Sequence, residues 1–302
     1  MIEISNKHRY ALFLGCTIPS RYNNYDAAAR KCADVLGIEF VDMQKEEGAG
    51  CCGPIFLRSA DFDTWISMGA KNLVIAERLN LDIVALCNGC FGTLREVNHL
   101  LKHDEQLRER VNTVLSESDL PEFKGTIEVY HFIKMLEKYG LENIERKMSL
   151  RFEGLKSAVF YGCHSLKPSE AAQVDNPERP HILEDLVNIT GAKAVEWDEQ
   201  LKCCGGPILA INEKLAEELA KKKLDSAKAA GADCTVIICP FCEVMFDVEQ
   251  VKIESDLGIK YDLPALFYPQ LLGLTLGLRF NELGFQFNKV SAEKIRVFLK
   301  PL

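Results

Sequence analysis

The sequence predicts an α/β protein of two pseudo-symmetric halves, each a Rossmann-like, mostly parallel sheet with flanking helices. Three observations carry this expectation: an internal repeat of cysteines, apolar runs of strand length that end at cysteines, and helical stripes between those runs. The repeat comes first. With Cys32 and Cys234 set aside, Cys16, Cys51-Cys52 and Cys87-x-x-Cys90 are answered by Cys163, Cys203-Cys204 and Cys239-x-x-Cys242. From the vicinal pair to the CxxC there are 34 intervening residues in both halves. The flanks repeat too: "YALFLGC" answers "AVFYGC", "CCGP" answers "CCGGP", and "DIVALCNGCF" answers "CTVIICPFCE". Self-similarity of this kind marks a duplicated unit, with one half over 1–150 and the other over 151–302.

Within each half, "YALFLG", "DIVALC", "SAVFYG" and "CTVIIC" are short apolar runs of buried-strand type. Phe62, Ile66, Leu73, Ala76 and Leu79 form one helical stripe, and Ala216, Ala220, Leu224 and Ala227 another, with Asn212 as start signal and Gly231 as stop. Strands alternating with helices argue for parallel sheets. Cys16, Cys87, Cys163 and Cys239 then fall where strands end, the edge at which open α/β sheets bind ligands. The segments after "CCGP" and "CNGC" run into helices, whose N-termini favour negative charge.

Composition narrows the function. A net charge of −8, with no basic run longer than "KKK" at 221–223, argues against a nucleic-acid partner. The stretch "MIEISNKHRYALFLG" has no basic region followed by a long apolar one, so no secretion signal is read and the chain is expected to be cytoplasmic. The most apolar stretch, "LPALFYPQLLGLTLGL" (263–278), carries two prolines and is too short to span a bilayer. It reads as a buried helix, and residues 263–280 are the candidate element for docking a partner subunit. Twelve cysteines in a chain of this size without a secretion signal point to metal or redox chemistry rather than disulfides.

Five cysteines overfill a four-ligand zinc site. Adjacent cysteines do not easily ligate one tetrahedral ion together, whereas neighbouring metals of a cluster can take one each. A dithiol relay would use the CxxC motifs and leave the vicinal pairs unexplained. Iron–sulfur clusters in both halves suit the pattern best, with zinc in at least one half as the alternative. Gly50, Gly53, Gly205 and Gly206 beside the vicinal pairs permit positive φ and close backbone approach to a bulky inorganic group. Exposed N–H groups there can hydrogen-bond cluster sulfurs.

The duplicated C…CCG…CxxC arrangement, with "FLGCTIPSRY", "CNGCFGTLREVNHLL", "YGCHSLKPSE", "TGAKAVEW", "AGADCTVIICPFC" and "PQLLGLTLGL", resembles the heterodisulfide reductase subunit that carries a duplicated cysteine-rich CCG domain, over nearly the whole chain. The resemblance implies one noncubane [4Fe–4S] cluster per half, each held by five cysteines. The ligands would be Cys16, Cys51, Cys52, Cys87 and Cys90 for one cluster, and Cys163, Cys203, Cys204, Cys239 and Cys242 for the other. It also implies disulfide cleavage between the two clusters, a ferredoxin-like iron–sulfur subunit and a flavin subunit as partners, and a small disulfide, thiol or sulfur carrier as substrate. The compact loops "CCGPIF" and "CCGGPI" depart from the longer glycine-rich stretches of the methanogen members. That departure leaves the ligands intact but implies a reshaped pocket, as in a heterodisulfide reductase-like complex acting on another substrate.

Among other residues, His164 beside Cys163 is the candidate proton donor, with Thr17 in the matching place of the first half. Lys167 and Arg21 are candidates to attract an anionic substrate, against a reading as solvated surface charge. Cys32 and Cys234 read as core residues, His131 as a helix start, and "LAEELAKKKLDSAKAAG" as a solvent-facing amphipathic helix. There is no ferredoxin-type cysteine run and no GxGxxG after a strand, so electrons would have to come from a partner. Against the disulfide-cleaving enzyme stand two alternatives: an electron-transfer CCG subunit that cleaves no disulfide, and a zinc-stabilised scaffold.

Overall fold

The structure, a computed structural model, describes residues 8–46 and 48–302. The reading of no secretion signal rests partly on residues 1–7, which lie outside the described residues. The first half builds a sheet from β1 (Arg9–Phe13), β2 (Glu39–Asp42), β3 (Ile83–Ala85) and β4 (Val129–His131), in the order β2-β1-β3-β4. Every pairing in it is parallel, with Ala11 opposite Ile83 and Ile83 opposite Val129. After the antiparallel partner strand β5 (Leu150–Phe152), the second half repeats the pattern. There β6 (Lys156–Phe160), β7 (Lys193–Val195), β8 (Cys234–Ile237) and β9 (Ala265–Phe267) take the order β7-β6-β8-β9, again all parallel. A last strand, β10 (Leu299–Pro301), pairs with β5.

The central strands β3 and β8 are buried without alternation, as in a sheet covered by helices on both faces. Ile83, Val84 and Ala85 are fully buried, as are Val236 and Ile237. The helix Phe62–Leu79 starts at Asp61, whose carboxylate accepts from the Thr64 N–H at 3.0 Å, and stops at Asn80 in the left-handed region (φ 52°). It packs closely on the helix Asn88–His103 because Gly69 has no Cβ; one placed there would sit 2.7 Å from Val97 Cγ2. Such overpacking costs about 1–3 kcal/mol. In the second half Asn212 caps the helix Glu213–Ala229 through the Leu215 N–H at 3.1 Å, and Gly231 closes it at φ 73°. Both signals are legible in the sequence.

Two compact units divide the chain, and neither is contiguous. One comprises residues 8–21, Gly37–Lys138 and His164–Pro177; the other Tyr22–Leu36, Tyr139–Cys163 and Glu178–Leu302. In the second unit the helix Asn23–Leu36 packs on the helix Tyr268–Thr275, with Tyr25 stacked 4.0 Å from the Phe267 ring. The apolar run 263–278 is not one helix. Pro264 and Pro269 punctuate it into β9 followed by Tyr268–Thr275. Leu263 and every residue from Ala265 through Leu276 are buried, so the docking reading of this segment is corrected: it is core, held by Gln270 between the Phe267 N–H and the Leu283 carbonyl. No helix among the described residues is long and apolar enough to cross a membrane.

Candidate metal centres

In each sheet the chain leaves the first central strand in one direction and the second in the other, so a crevice opens outside their carboxyl ends. The cysteines line it. Cys16 follows β1 by three residues and Cys87 follows β3 by two; Cys163 and Cys239 stand in the same relation to β6 and β8. All twelve cysteines are free thiols. Cys32 and Cys234 stand apart as fully buried core residues, bonded to the Pro269 carbonyl at 3.2 Å and to Ser157 Oγ at 3.3 Å.

The other ten converge in two groups of five. In the first, Cys51 and Cys90 donate to Cys52, and with the Thr93 hydroxyl they hold Cys52 well below the ordinary thiol range despite its burial. The same bond to Cys52, and burial, push the Cys51 thiol up; bonds to Cys52 and Cys87, with burial, push up Cys90. Cys16 completes the group from the rim, within electrostatic reach of Cys51 and with its sulfur 3.6 Å from the Thr17 hydroxyl. Gly15 (φ 67°) must be glycine here, since a Cβ would lie 2.4 Å from Cys90 Sγ. In the second group, bonds from Cys163 and Cys204, aided by the Gly205 N–H, hold Cys203 down to about 2. Cys163 is pushed up by its bond to Cys203, Cys204 to about 12 by the same partner, and Cys242 by Cys204 and Cys239. Each group thus sets one acceptor sulfur among thiol donors, an arrangement suited to converging metal ligation. Each group has three buried thiols and a more open rim, Cys16 and Cys51 in the first and Cys163 and Cys203 in the second.

The four glycines do different work. Gly53 (φ 82°) and Gly205 (φ 89°) take backbone that disfavours side chains, and a Cβ on Gly205 would meet the Ala216 carbonyl at 2.6 Å. Gly206 lets the Phe241 carbonyl approach to 2.9 Å of where its Cβ would stand. The Gly205 and Gly206 N–H groups donate to Cys203 and Cys204 sulfurs, both at 3.4 Å. Gly50 has neither positive φ nor a close neighbour; what it contributes is its N–H, bonded to Asn72 Oδ1 at 3.0 Å. A sulfur-only set of five with backbone donors aimed at the sulfurs fits an iron–sulfur cluster and exceeds what zinc takes.

His164 is half-buried in the first unit, its Cβ lying 2.8 Å from where a Gly92 Cβ would be, on the helix that follows Cys87. Lys167 and Arg21 are exposed. His131 ends β4 and accepts from the Ile133 N–H at 3.4 Å, at the start of a helix as expected. The charged helix 213–229 is solvent-facing with one exception, and that is a correction: Lys223 is 1% exposed. Its ammonium lies 4.0 Å from the Phe160 ring centre and 4.8 Å from that of Trp197, and donates to the Glu199 carbonyl. Burial pulls it down to about 8, while Cys204 and Cys242 pull the other way. Sequence reading also missed Asn72, Thr93 and Gly15. Two of these left a signal: Gly15 recurs as Gly162 before the first cysteine of each half, and Lys223 falls on the 216–220–224–227 stripe at helical spacing.

Residues 10–95 and 157–247 each match the CCG cysteine-rich domain family. The chain is 37% identical to a subunit of the ferredoxin:CoB-CoM heterodisulfide reductase of Methanosarcina mazei, over 94% of each chain. It is 29% identical to the 8-methylmenaquinol:fumarate reductase membrane anchor subunit of Wolinella succinogenes, over 95% of this chain and 98% of that one. A solved structure of a hypothetical protein from Helicobacter pylori aligns with a TM-score of 0.74 at 16% identity, a likeness of fold alone. That alignment covers 96% of this chain and 53% of the other, so this chain spans about half its length.

Proposed function

Since this chain belongs to the cysteine-rich CCG-domain family of heterodisulfide reductase subunits, we propose that it is the iron–sulfur catalytic subunit of a heterodisulfide reductase-like complex. It would reduce, or in reverse form, a disulfide with one noncubane [4Fe–4S] cluster in each half. The observation that carries the reading is the convergence of five thiols in each half, with a solvent-open rim at Cys16 in one and Cys203 in the other. In balance, R–S–S–R′ takes up two electrons and leaves as two thiolates. When bound, each cluster would supply one electron and a Lewis-acidic iron for one sulfur.

The residues of the chain do the rest. The ten thiols hold the inorganic groups, and the Gly205 and Gly206 N–H groups stabilise negative charge on Cys203 and Cys204. His164, next to Cys163, would give a proton to a departing thiolate, and exposed Lys167 would draw in an anionic substrate. Electrons would enter from a ferredoxin-like iron–sulfur subunit fed by a flavin subunit. Thiol ligation of this kind belongs in a reducing compartment such as the cytoplasm.

Metal analysis of anaerobically purified protein tests this. About eight irons with matching acid-labile sulfide per chain are expected, roughly halved in Cys51→Ala and in Cys203→Ala. One or two zincs with little sulfide would overturn it. The fumarate reductase relative supports a second reading, an electron-transfer subunit that cleaves no disulfide. Spectra decide: disulfide or thiol shifts the cluster signals of the catalytic subunit and leaves those of an electron-transfer subunit unchanged.

A further inference from the structure

We infer that Lys223 is a buried fixed cation built against the second cysteine group, and that it makes the cluster held there the easier of the two to reduce. The inference rests on the reading that each group holds a cluster, and it adds an inequality between them.

Two helices in matching positions locate the difference. A Cβ on Gly53 would lie 3.3 Å from the Trp65 carbonyl, and one on Gly205 would lie 2.6 Å from the Ala216 carbonyl, so Trp65 and Ala216 hold the same place. Each helix ends at a left-handed residue, Asn80 in the first half and Gly231 in the second, fifteen residues on from those positions (65 to 80, 216 to 231). In that register, eight residues before each end, Asn72 stands where Lys223 stands. Asn72 is 1% exposed and neutral, and its amide ties the Gly50 N–H at 3.0 Å and the Cys51 carbonyl at 3.1 Å. Lys223, equally buried, carries a positive charge in the same position.

That charge is held, not left to wander. The ammonium is clamped between the faces of Phe160 and Trp197, and the Trp197 indole N–H is itself tied to the Val159 carbonyl at 3.0 Å. Glu199 takes one N–H with its main-chain carbonyl, which keeps the lysine cationic without neutralising it by an ion pair. Cation–π contact is strengthened where the cation is desolvated. Geometry brings Lys223 to the second cysteine group: its helix packs on the turn Gly206–Ile208 that follows Cys203 and Cys204, Phe160 ends the strand that leads to Cys163, and Glu199 lies four residues before Cys203. In the first group, the chief influences on Cys51, Cys52 and Cys90 are other thiols, the Thr93 hydroxyl and backbone N–H groups. Two acids lie near: Glu243, beside Cys242, is buried, and the Glu199 carboxylate is within electrostatic reach of the lysine without forming an ion pair with it.

One-electron reduction of an anionic cluster adds negative charge where water is excluded. A fixed cation at close range favours that step, and charge and burial are among the terms that set cluster potentials. The first electron from the external donor would therefore rest on the second cluster.

The test is an anaerobic redox titration of the full chain followed by electron paramagnetic resonance. Paired substitutions Cys51→Ala/Cys52→Ala and Cys203→Ala/Cys204→Ala assign which signal belongs to which group. In the unmodified chain two midpoints are expected, that of the second cluster higher by at least about tenfold in the reduction equilibrium, about 59 mV for one electron. Lys223→Met, which keeps the packing between the rings, should lower that midpoint alone, and Lys223→Arg should retain it. A single shared midpoint, or a second midpoint unmoved in Lys223→Met, overturns the inference. Should Lys223→Met fail to load, the order of the two midpoints in the unmodified chain decides. Absence of iron and sulfide would instead overturn the cluster reading itself, so the two failures are distinct.

Discussion

The two vicinal-cysteine loops hold the same ligand pattern by different means. In the first, a side chain does the holding: the Asn72 amide bridges Gly50 and Cys51, and Thr93 Oγ1 donates to the Gly53 carbonyl at 2.9 Å. Both loops turn backbone N–H groups onto sulfur, Gly53 toward Cys51 in the first and Gly205 and Gly206 toward Cys203 and Cys204 in the second, but the second has Lys223 where the first has the tying amide. The helices that follow the CxxC motifs diverge as well. Asn88–His103 runs regularly, whereas Pro240–Glu243 passes into a π-helical turn at Val244–Val248 before Glu249–Leu257. Duplication has kept the sulfurs in place while the groups that set their charge and rigidity have separated. The placement of the ten thiols is thus shared by the halves, and the charge around them is not.

Five substitutions in three sets sharpen this contrast, the sets taken in falling order of their largest effect. Gly205→Ala forces a side chain onto φ 89° and into the Ala216 carbonyl, so a loss of about 2–5 kcal/mol is expected in urea unfolding of the cluster-loaded protein. Gly53→Ala, whose Cβ would stand 3.3 Å from the Trp65 carbonyl, should lose less, and Gly50→Ala least. Equal losses at all three would mean the loops are held alike. Next, Asn72→Ala removes the buried amide from Gly50, Cys51 and Met68, at a cost of about 1–3 kcal/mol. Its iron loss on dilution should be confined to the cluster of the first half.

The smallest effect is acidic. Glu128 enters β4 next to Arg95 and Lys102, where the second half has Pro264 entering β9. Burial works to raise its carboxyl, but the bonds from Lys102 and Arg95 win and hold it below its ordinary value of 4.5. Its contribution is therefore full above pH 4.5 and lost as pH falls through the lower folded value. Solvent screening keeps it under about 1 kcal/mol. Glu128→Gln should flatten the unfolding midpoint across that window, and an unchanged pH profile would deny Glu128 any such role.

The duplication, the α/β class and the ten clustered cysteines were legible in the sequence, because each rests on local spacing. Strand length, cap residues such as Asn212 and the fixed interval from CC to CxxC are all short-range properties. The core roles of Cys32 and Cys234 followed from their lack of counterparts. The tertiary structure decided what spacing cannot express. It turned the apolar run 263–278 into a strand and a buried helix, since hydrophobicity marks burial without saying against what. Only the strand order β2-β1-β3-β4, and its repeat β7-β6-β8-β9, bring the cysteines of each half, far apart in sequence, to the crevice of that half's own sheet. And in the "KKK" run it buried one lysine of three, because a charge can leave water only where other groups, here two aromatic faces and a carbonyl, replace its solvation.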